Sequence, residues 1–346
     1  MNTLSATQLA AQLTSARVPY IGLTFTSPDG LTTYTYDVND GTDGIVWVCE
    51  QENMPYTSKG LIVLNNSART IPDLRGYWVE PSWGDVTSAG DEGTPNPRLW
   101  VKNQTETSQA GGLQVALDMD GMWEVLDEIE WDIAGTAPFH EYAYDTATAL
   151  DIMQDCFTRA GMTLTCAVDD GIIDTISVYF YVNGGARANN KDTLKTVVYK
   201  AIMLTKCYIR MLPNMEAEIV FPQAADDVDE TYYTVSTTGY MPAYTYNERK
   251  TVLLPNKITV VANEAGDWNV VEVAEDATAQ AMYDPDGGGA INQTWVIAKI
   301  TNATDAAKIA SALLTRAKAE LMSAYFETPM DARVQMYDKP QAVDVR

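Results

Sequence analysis

The chain has 346 residues, 46% of them apolar and 20% charged, with a formal net charge of −24. That composition supplies real cores, enough for two or three domains, and is not that of a disordered chain. The shortage of cations argues against a surface that neutralises nucleic-acid phosphates or docks on anionic lipid.

The acidity is uneven: residues 1–158 hold 6 basic and 23 acidic residues, and the remainder holds 17 and 24. Such a field serves solubility, and it also suits repulsion of passing DNA or docking on a basic partner. The chain opens with SATQLAAQLTSA, which predicts a short helix with Leu4, Leu9 and Leu13 near one face. From Arg17, β-branched and aromatic residues alternate around the turn signal Ser27-Pro28-Asp29-Gly30, as in a hairpin. GIVWVCEQ, GLIVLNNSARTIPDLRGYWVEPSWGDV, PRLWVKNQT and GGLQVALDMDGMWEVLDEIEWDI continue as short strands, so an all-β sandwich or barrel is expected to about residue 135.

The texture then turns helical. Asp145 or Thr146 is placed to cap a helix with the stripe Ala149, Leu150, Ile152, Met153, Cys156 and Phe157, closed by Gly161. IIDTISVYFYVNGG reads as a strand. A second helix is expected over 190–208, with Leu194, Val197, Val198, Ala201, Ile202 and Leu204 on its apolar face. Its other side carries Lys191, Lys195, Lys200 and Lys206, which is either a solvated face or a basic stripe meeting an acidic neighbour. EAEIVFPQ is a strand. TYYTVS, KTVLLPNKITVVAN, DWNVVEVAED and WVIAKIT return to β texture, with a turn at DPDGGG. Asn302, Thr304 or Asp305 caps a last helix over 305–325, and TPMDARVQMYDKPQAVDV reads as two short strands.

Catalytic signatures are scarce. His140 is the single histidine and sits in a Pro-Phe-His linker, so a His-rich metal site within one chain is impossible. No nucleophile elbow, zincin or phosphate-loop motif occurs. Cys49, Cys156, Cys166 and Cys207 form no C-x-x-C pair and read as reduced thiols. Asp118-Met119-Asp120-Gly121 opens like a calcium loop but lacks the later ligands. Abundant carboxylates leave a glycoside-hydrolysing pair open, and Trp78, Trp83, Trp100, Trp123 and Trp131 are either core aromatics or sugar-stacking surface. Met1–Ala11 has no basic segment before an apolar run, so no signal peptide is expected. No apolar run reaches the roughly 18 residues of a membrane span.

Several phrases in order resemble the phage baseplate and tail-tip hub proteins. These are Gly60-Leu-Ile-Val-Leu-Asn-Asn-Ser67 with Leu74-Arg75-Gly76, the helix closing on Ala160-Gly161-Met162, Arg210 before EAEIVF, Lys257-Ile-Thr-Val-Val-Ala262, and the final helix with its tail. The resemblance implies an α+β, β-rich fold: two tube-protein-like β-barrel domains with helix-containing α/β domains. The expected division is a first barrel at 1–135, an α/β domain at 136–225, a second barrel at 226–300, and a C-terminal helix plus strands at 301–346 packing back on the α/β domain. It implies a structural hub subunit of the virion, assembled in the host cytoplasm, that joins the tail tube to the distal tip or spike and frames the DNA channel. A homotrimer, tail-tube and distal-tail proteins, a tip or spike protein and a tape measure protein are the implied partners. No cofactor, stable nucleic-acid binding, membrane insertion or enzymatic activity is expected. No spike, fibre or peptidase extension is expected after the last strands. The competing readings are a distal-tail or tube adaptor ring, a carboxylate-dependent envelope hydrolase, and a carbohydrate-binding module using Trp83 or Trp100.

Overall fold

The structure, a computed structural model, describes all residues except 15–16, 39–44, 110–111, 132–140, 145–146, 177–179, 184–190, 224, 235–240, 250–255, 265–266, 283–292, 299, 301–302, 321–322 and 344–346. His140, both glycines of Gly184–Gly185 and the DPDGGG turn lie outside the described residues.

The first helix, α1 (Ala6–Gln12), is capped by the Ser5 hydroxyl, which accepts from the Gln8 amide. Its buried residues are Gln8 and Gln12, not the leucines, because this helix packs on a polar network described below. One large sheet follows, built from β1 (Pro19–Thr26), β2 (Thr33–Asp37), β3 (Val46–Met54), β4 (Thr57–Asn65), β5 (Trp78–Val79), β6 (Ser82–Thr87), β7 (Gly90–Pro95), β8 (Leu99–Gln109) and β9 (Gly112–Gly121). Its order is β3-β4-β9-β8-β5-β1-β6-β7, with β2 on β1, and the sheet curls into a half-barrel. Period-two alternation fixes its faces. Val115, Leu117 and Met119 of β9 are buried while Asp118 is exposed, and Leu117 stands opposite Ile62. Leu23, Phe25, Leu64, Leu74, Val79, Leu99 and Val101 complete that core.

After β9 the chain departs from the expected run of strands. Gly121 N-caps α2 (Met122–Glu128), whose Met122, Trp123 and Leu126 fall on one helical face and are buried. A Cβ on Gly121 would lie 1.9 Å from the Ser58 hydroxyl, so the sheet can turn into this helix only at a glycine. The next elements are β10 (Glu141–Tyr144), α3 (Ala149–Arg159), β11 (Thr163–Cys166), β12 (Phe180–Asn183), α4 (Leu194–Ile202), β13 (Tyr208–Leu212) and β14 (Glu216–Val220). The α3 cap is Thr148, two residues past Thr146 and three past Asp145, in a reciprocal capping box with Asp151. Gly161 (φ +71°) ends α3 as expected; Gly161 N–H donates to Thr158 C=O and Met162 N–H to Phe157 C=O. Helix α4 is shorter than the expected 190–208, because Thr193 caps it and the chain turns at Met203 toward β13. The strand order β11-β14-β13, with β11 parallel and β13 antiparallel to β14, makes a three-stranded sheet under α3 and α4.

The last third holds β15 (Glu230–Tyr233), β16 (Thr245–Arg249), β17 (Lys257–Glu264), β18 (Asp267–Glu275), α5 (Ala277–Met282), β19 (Gln293–Ala298), α6 (Ala303–Glu320), β20 (Ser323–Glu327) and β21 (Pro340–Val343). Among the described residues its strands form three small sheets: β18-β17-β19, β16-β20 and β15-β21. Helix α6 starts at Ala303, which puts Thr304 and Asp305 in its first turn. It stops at Glu320 rather than 325: Ser323–Glu327, rich in aromatics and followed by Thr328-Pro329, instead pairs with β16. Only Pro340–Val343 of the expected closing strand pair is a strand; residues 328–339 form an irregular strap. The fold is α+β and β-rich.

A second core runs from Met122 through α3, α4 and the three-stranded sheet to Ile258, Val260 and the α6 residues Ala306, Ile309, Ala310 and Leu313. Arg316 of α6 is buried beside it. Its guanidinium donates to the carbonyls of Ile202 (3.1 Å) and Cys207 (3.4 Å) and to the Tyr56 hydroxyl (2.7 Å), and lies 4.4 Å from the Tyr208 ring centroid. Replacing it removes three hydrogen bonds made by a buried charged group, at about 1 kcal/mol each, although the Ile202 carbonyl keeps its bonds from Thr205. Arg316→Met is expected to lower the unfolding free energy by about 3 kcal/mol, and Tyr56→Phe by about 1 kcal/mol. Urea denaturation of the two variants checks the ranking.

Candidate functional site

Three kinds of surface bear on function: the carboxylates, the lysines and the exposed apolar strand faces. The carboxylates that come together are Asp85 at the inner side of β6 and Asp331 on the strap, with side chains 0% and 1% exposed. Arg17 grips Asp85 through two nitrogens (2.9 and 3.2 Å) and donates to the Met330 carbonyl (2.6 Å). Asp331 accepts from Gln12 Nε2 (2.7 Å), Tyr232 Oη (2.8 Å) and Arg333 (2.8–3.0 Å), while Gln12 Oε1 accepts from the Ala332 amide. Arg333 also pairs with Glu230. Further along, Asp338 is held by Arg210 (2.8 Å) and the Met1 ammonium (3.3 Å).

Burial pushes the Asp85 carboxyl above its ordinary range against the pull of Arg17, and the Asp331 charge adds to the rise. Burial acts the same way on Asp331, but the Arg333 and Tyr232 hydrogen bonds and the Arg333 charge outweigh it and hold that carboxyl low. Burial keeps the Tyr232 hydroxyl protonated, so it serves as a donor. Each carboxylate is saturated by fixed donors, so the cluster ties the strap to α1, β6, β13 and β15 and offers no oxygen in an open cleft. Burial also pushes the Cys49 and Cys156 thiols up to about 12 and raises Cys166 and Cys207, which makes all four poor nucleophiles at neutral pH. Among the described residues, no three His, Cys, Asp or Glu side chains are grouped to hold a metal ion. Asp118 and Asp120 lie on β9 beside Asn103 and Lys102 rather than in a loop.

The four lysines surround α4, but only Lys195 and Lys200 are on it. Lys191 precedes the helix and faces Glu130 (3.5 Å); Lys195 reaches Asp127 (3.5 Å) on α2. Lys200 pairs with Asp192 (2.9 Å). Lys206, past the helix end, donates to the Asp170 carbonyl (3.2 Å) and lies 5.6 Å from the Phe221 ring centroid. Acidic neighbours of the stripe are thus found within the chain itself, and Tyr199 is exposed among the lysines. Of the tryptophans, Trp123 and Trp131 are buried core residues. Trp78 stands opposite Trp100 across β5 and β8 and is covered by Arg98, 3.6 Å from its ring centroid, and Trp83 is half-buried in β6.

The residues that sequence reasoning did not single out are apolar and exposed. β18 ends the β18-β17-β19 sheet; its Val270 and Ala274 pack toward the second core, while Val271 and Val273 are 52% and 45% exposed. Valines on successive residues, Val270 and Val271, were the available signal, since a strand apolar on both sides is one covered on both faces. On the β16-β20 ribbon Tyr325 is 57% exposed, with Thr245, Asn247 and Glu327 on the same side, and Tyr244 just before β16 is 70% exposed. Trp47 is exposed on β3, the other edge of the large sheet. The arrangement presents sheet edges and exposed apolar residues suited to protein contact.

No protein-family model matches the sequence, and no curated protein matches it. Solved structures do match. The chain is similar to the tail protein from Neisseria meningitidis MC58, with a TM-score of 0.60 at 10% identity over 94% of this chain and 87% of that one. It is also similar to the 43 kDa tail protein of prophage MuSo2 from Shewanella oneidensis, with a TM-score of 0.55 at 12% identity over 89% and 81% of the two chains. The resemblance to tail proteins read from the sequence therefore holds as a shared fold.

Because Asp331 is held below the ordinary value of about 3.9, its contribution to stability is complete above that pH and is lost as pH falls through its folded-state value. Asp331→Asn is expected to cost about 3 kcal/mol at pH 7, since Arg333 loses a buried partner. The gap from the unsubstituted protein should narrow toward pH 3, as urea denaturation across that range will show.

Proposed function

We propose that this chain, which shares its fold with tail proteins, is a structural subunit of a bacteriophage tail and forms the hub of its tip or baseplate. The observation that carries the reading is the similarity to a tail protein over 94% of the chain. The saturated carboxylates and raised thiols support a structural role over a catalytic one.

In this reading the chain divides into a first barrel domain at 1–135, an α/β domain at 136–225, a second barrel domain at 226–300 and a C-terminal part at 301–346. Three copies close a ring that joins the tail tube to the distal tip or spike, next to distal-tail and tape measure proteins. The outward valines of β18 meet a neighbouring copy, since an isologous or heterologous contact covers an exposed strand face at no other cost to the fold. The face bearing Lys191, Lys195, Lys200, Lys206 and Tyr199 is a second contact, set against the acidic N-terminal half of the next copy. The net acidity keeps passing DNA from adhering to the ring.

Light scattering on the purified chain should report a mass three times 38.0 kDa. Val271→Glu with Val273→Glu should return it to a folded monomer with unchanged circular dichroism, because both side chains are exposed and outside the core. A sealed monomer at every concentration, together with absence of the chain from purified particles, overturns the reading.

A further inference from the structure

The strap is held unevenly along its length. Residues 330–333 are fixed by groups from the N-terminal segment and β15. Arg17 takes the Met330 carbonyl (2.6 Å), and Asn2 takes the Ala332 and Arg333 carbonyls (3.3 and 2.7 Å). Gln12 takes the Ala332 amide, and Gln12 and Tyr232 hold the buried Asp331 carboxylate. From residue 335 onward the ties to the body are fewer. The Gln335 and Asp338 amides are satisfied inside the segment, by the Asp338 carboxylate (2.7 Å) and the Gln335 carbonyl (3.2 Å). Arg210 reaches the Met336 carbonyl (2.6 Å), Asp338 (2.8 Å) and Gln335 Oε1 (3.4 Å), and the Met1 ammonium adds a contact to Asp338 (3.3 Å). Lys339 binds the exposed Asp229 through its amide (2.6 Å) and carbonyl (3.1 Å). β21 then pairs with β15, which is its one neighbour among the described strands.

The weaker half also carries strain. Tyr337 lies at φ +69°, a left-handed conformation that costs a bulky side chain free energy, and no other strap residue adopts it. Its ring is held 4.8 Å from that of Tyr208. Arg210, two residues along β13 from Tyr208, has a second carboxylate within reach: Glu218 stands opposite it on β14 at 3.2 Å. Releasing Asp338 therefore relieves backbone strain and leaves Arg210 paired. Releasing Asp331 instead strips Gln12 and Tyr232 of a buried acceptor, which is costly.

We propose that residues 335–343 form a hinged latch. It swings about Val334, an exposed residue between the turns at 332–333 and 336–337, while residues 330–333 stay clamped. Arg210 passes from Asp338 to Glu218 as it opens. Opening bares the Tyr208 ring and unpairs one edge of β15, so the closed latch keeps a strand edge covered. The device belongs to the single chain and does not rest on the tail reading.

Hydrogen exchange of the full chain at neutral pH, resolved by peptide mass over a range of low urea concentrations, tests it. Amides of 335–343 are expected to exchange at least about tenfold faster than those of 330–333 and α6, with little dependence on urea, as a local opening does. Glu218→Gln removes the partner that receives Arg210 and should slow exchange in 335–343 about two- to threefold. Tyr337→Gly and Tyr337→Ala both lose the ring, but glycine accepts the left-handed backbone, so its latch should exchange at least about twofold more slowly than that of the alanine variant. Retained protection of α6 reports that each variant is folded. One rate and one urea dependence across 330–343, unchanged or faster exchange in Glu218→Gln, or equal rates in the two Tyr337 variants overturns the proposal.

Discussion

Arg316 is a cation placed inside the protein, and the rest of the arrangement depends on how it is satisfied. Its helix, α6, brings it against the C-terminal end of α4, where the Ile202 carbonyl accepts from it as well as from Thr205. A cation at that end also meets the negative pole of the helix dipole. The same guanidinium reaches the Cys207 carbonyl at the start of β13 and the Tyr56 hydroxyl in the β3-β4 turn. Tyr56 in turn stacks edge-on against Trp123 and Tyr199. One buried charge thus sets the large N-terminal sheet, the three-stranded sheet and the last helix against one another. A hydrophobic contact of equal area would hold these parts together without fixing their angles, because it has no direction.

The strap applies the same logic nearer the surface. Residues 328–339 have no strand or helix of their own, so their backbone groups must be satisfied by others. Arg17 takes the Met330 carbonyl, Gln12 the Ala332 amide, and Arg210 the Met336 carbonyl. These side chains come from the N-terminal segment and from β13, and each is anchored in turn by a buried or half-buried carboxylate. Polar satisfaction here is distributed: removing one carboxylate frees an arginine, and the freed arginine releases a stretch of strap. That is why Gln12 of α1 faces inward.

The helices were legible where they bury a plain apolar stripe. Helix α3 and the core face of α4 emerged from Ile152, Phe157, Leu194 and Val198 because nothing competes with 3.6-residue periodicity there. Three features were not legible, each for a tertiary reason. Helix α2 hides behind a strand because Met122-Trp123-Glu124-Val125 has strand-like composition, and only the Gly121 contact with Ser58 forces the change. The end of α6 was overrun because Ser323–Glu327 is helix-compatible in isolation and is claimed by β16. Arg316 falls seven residues after Ile309 and three after Leu313, on the buried stripe, but its charge argued for solvent, and its burial is satisfied by partners more than a hundred residues away.

The polar interior and the apolar exterior of this chain are two sides of one constraint. Asp85, Asp331 and Asp338 are consumed in holding the chain to itself, so the groups most able to do chemistry are occupied. Val271, Val273, Tyr244 and Tyr325 are left in solvent on strands that end or edge their sheets. The structural role proposed above would need a rigid frame and unfinished sheet faces. The buried ion pairs supply the first, and the valines and tyrosines of the edge strands supply the second.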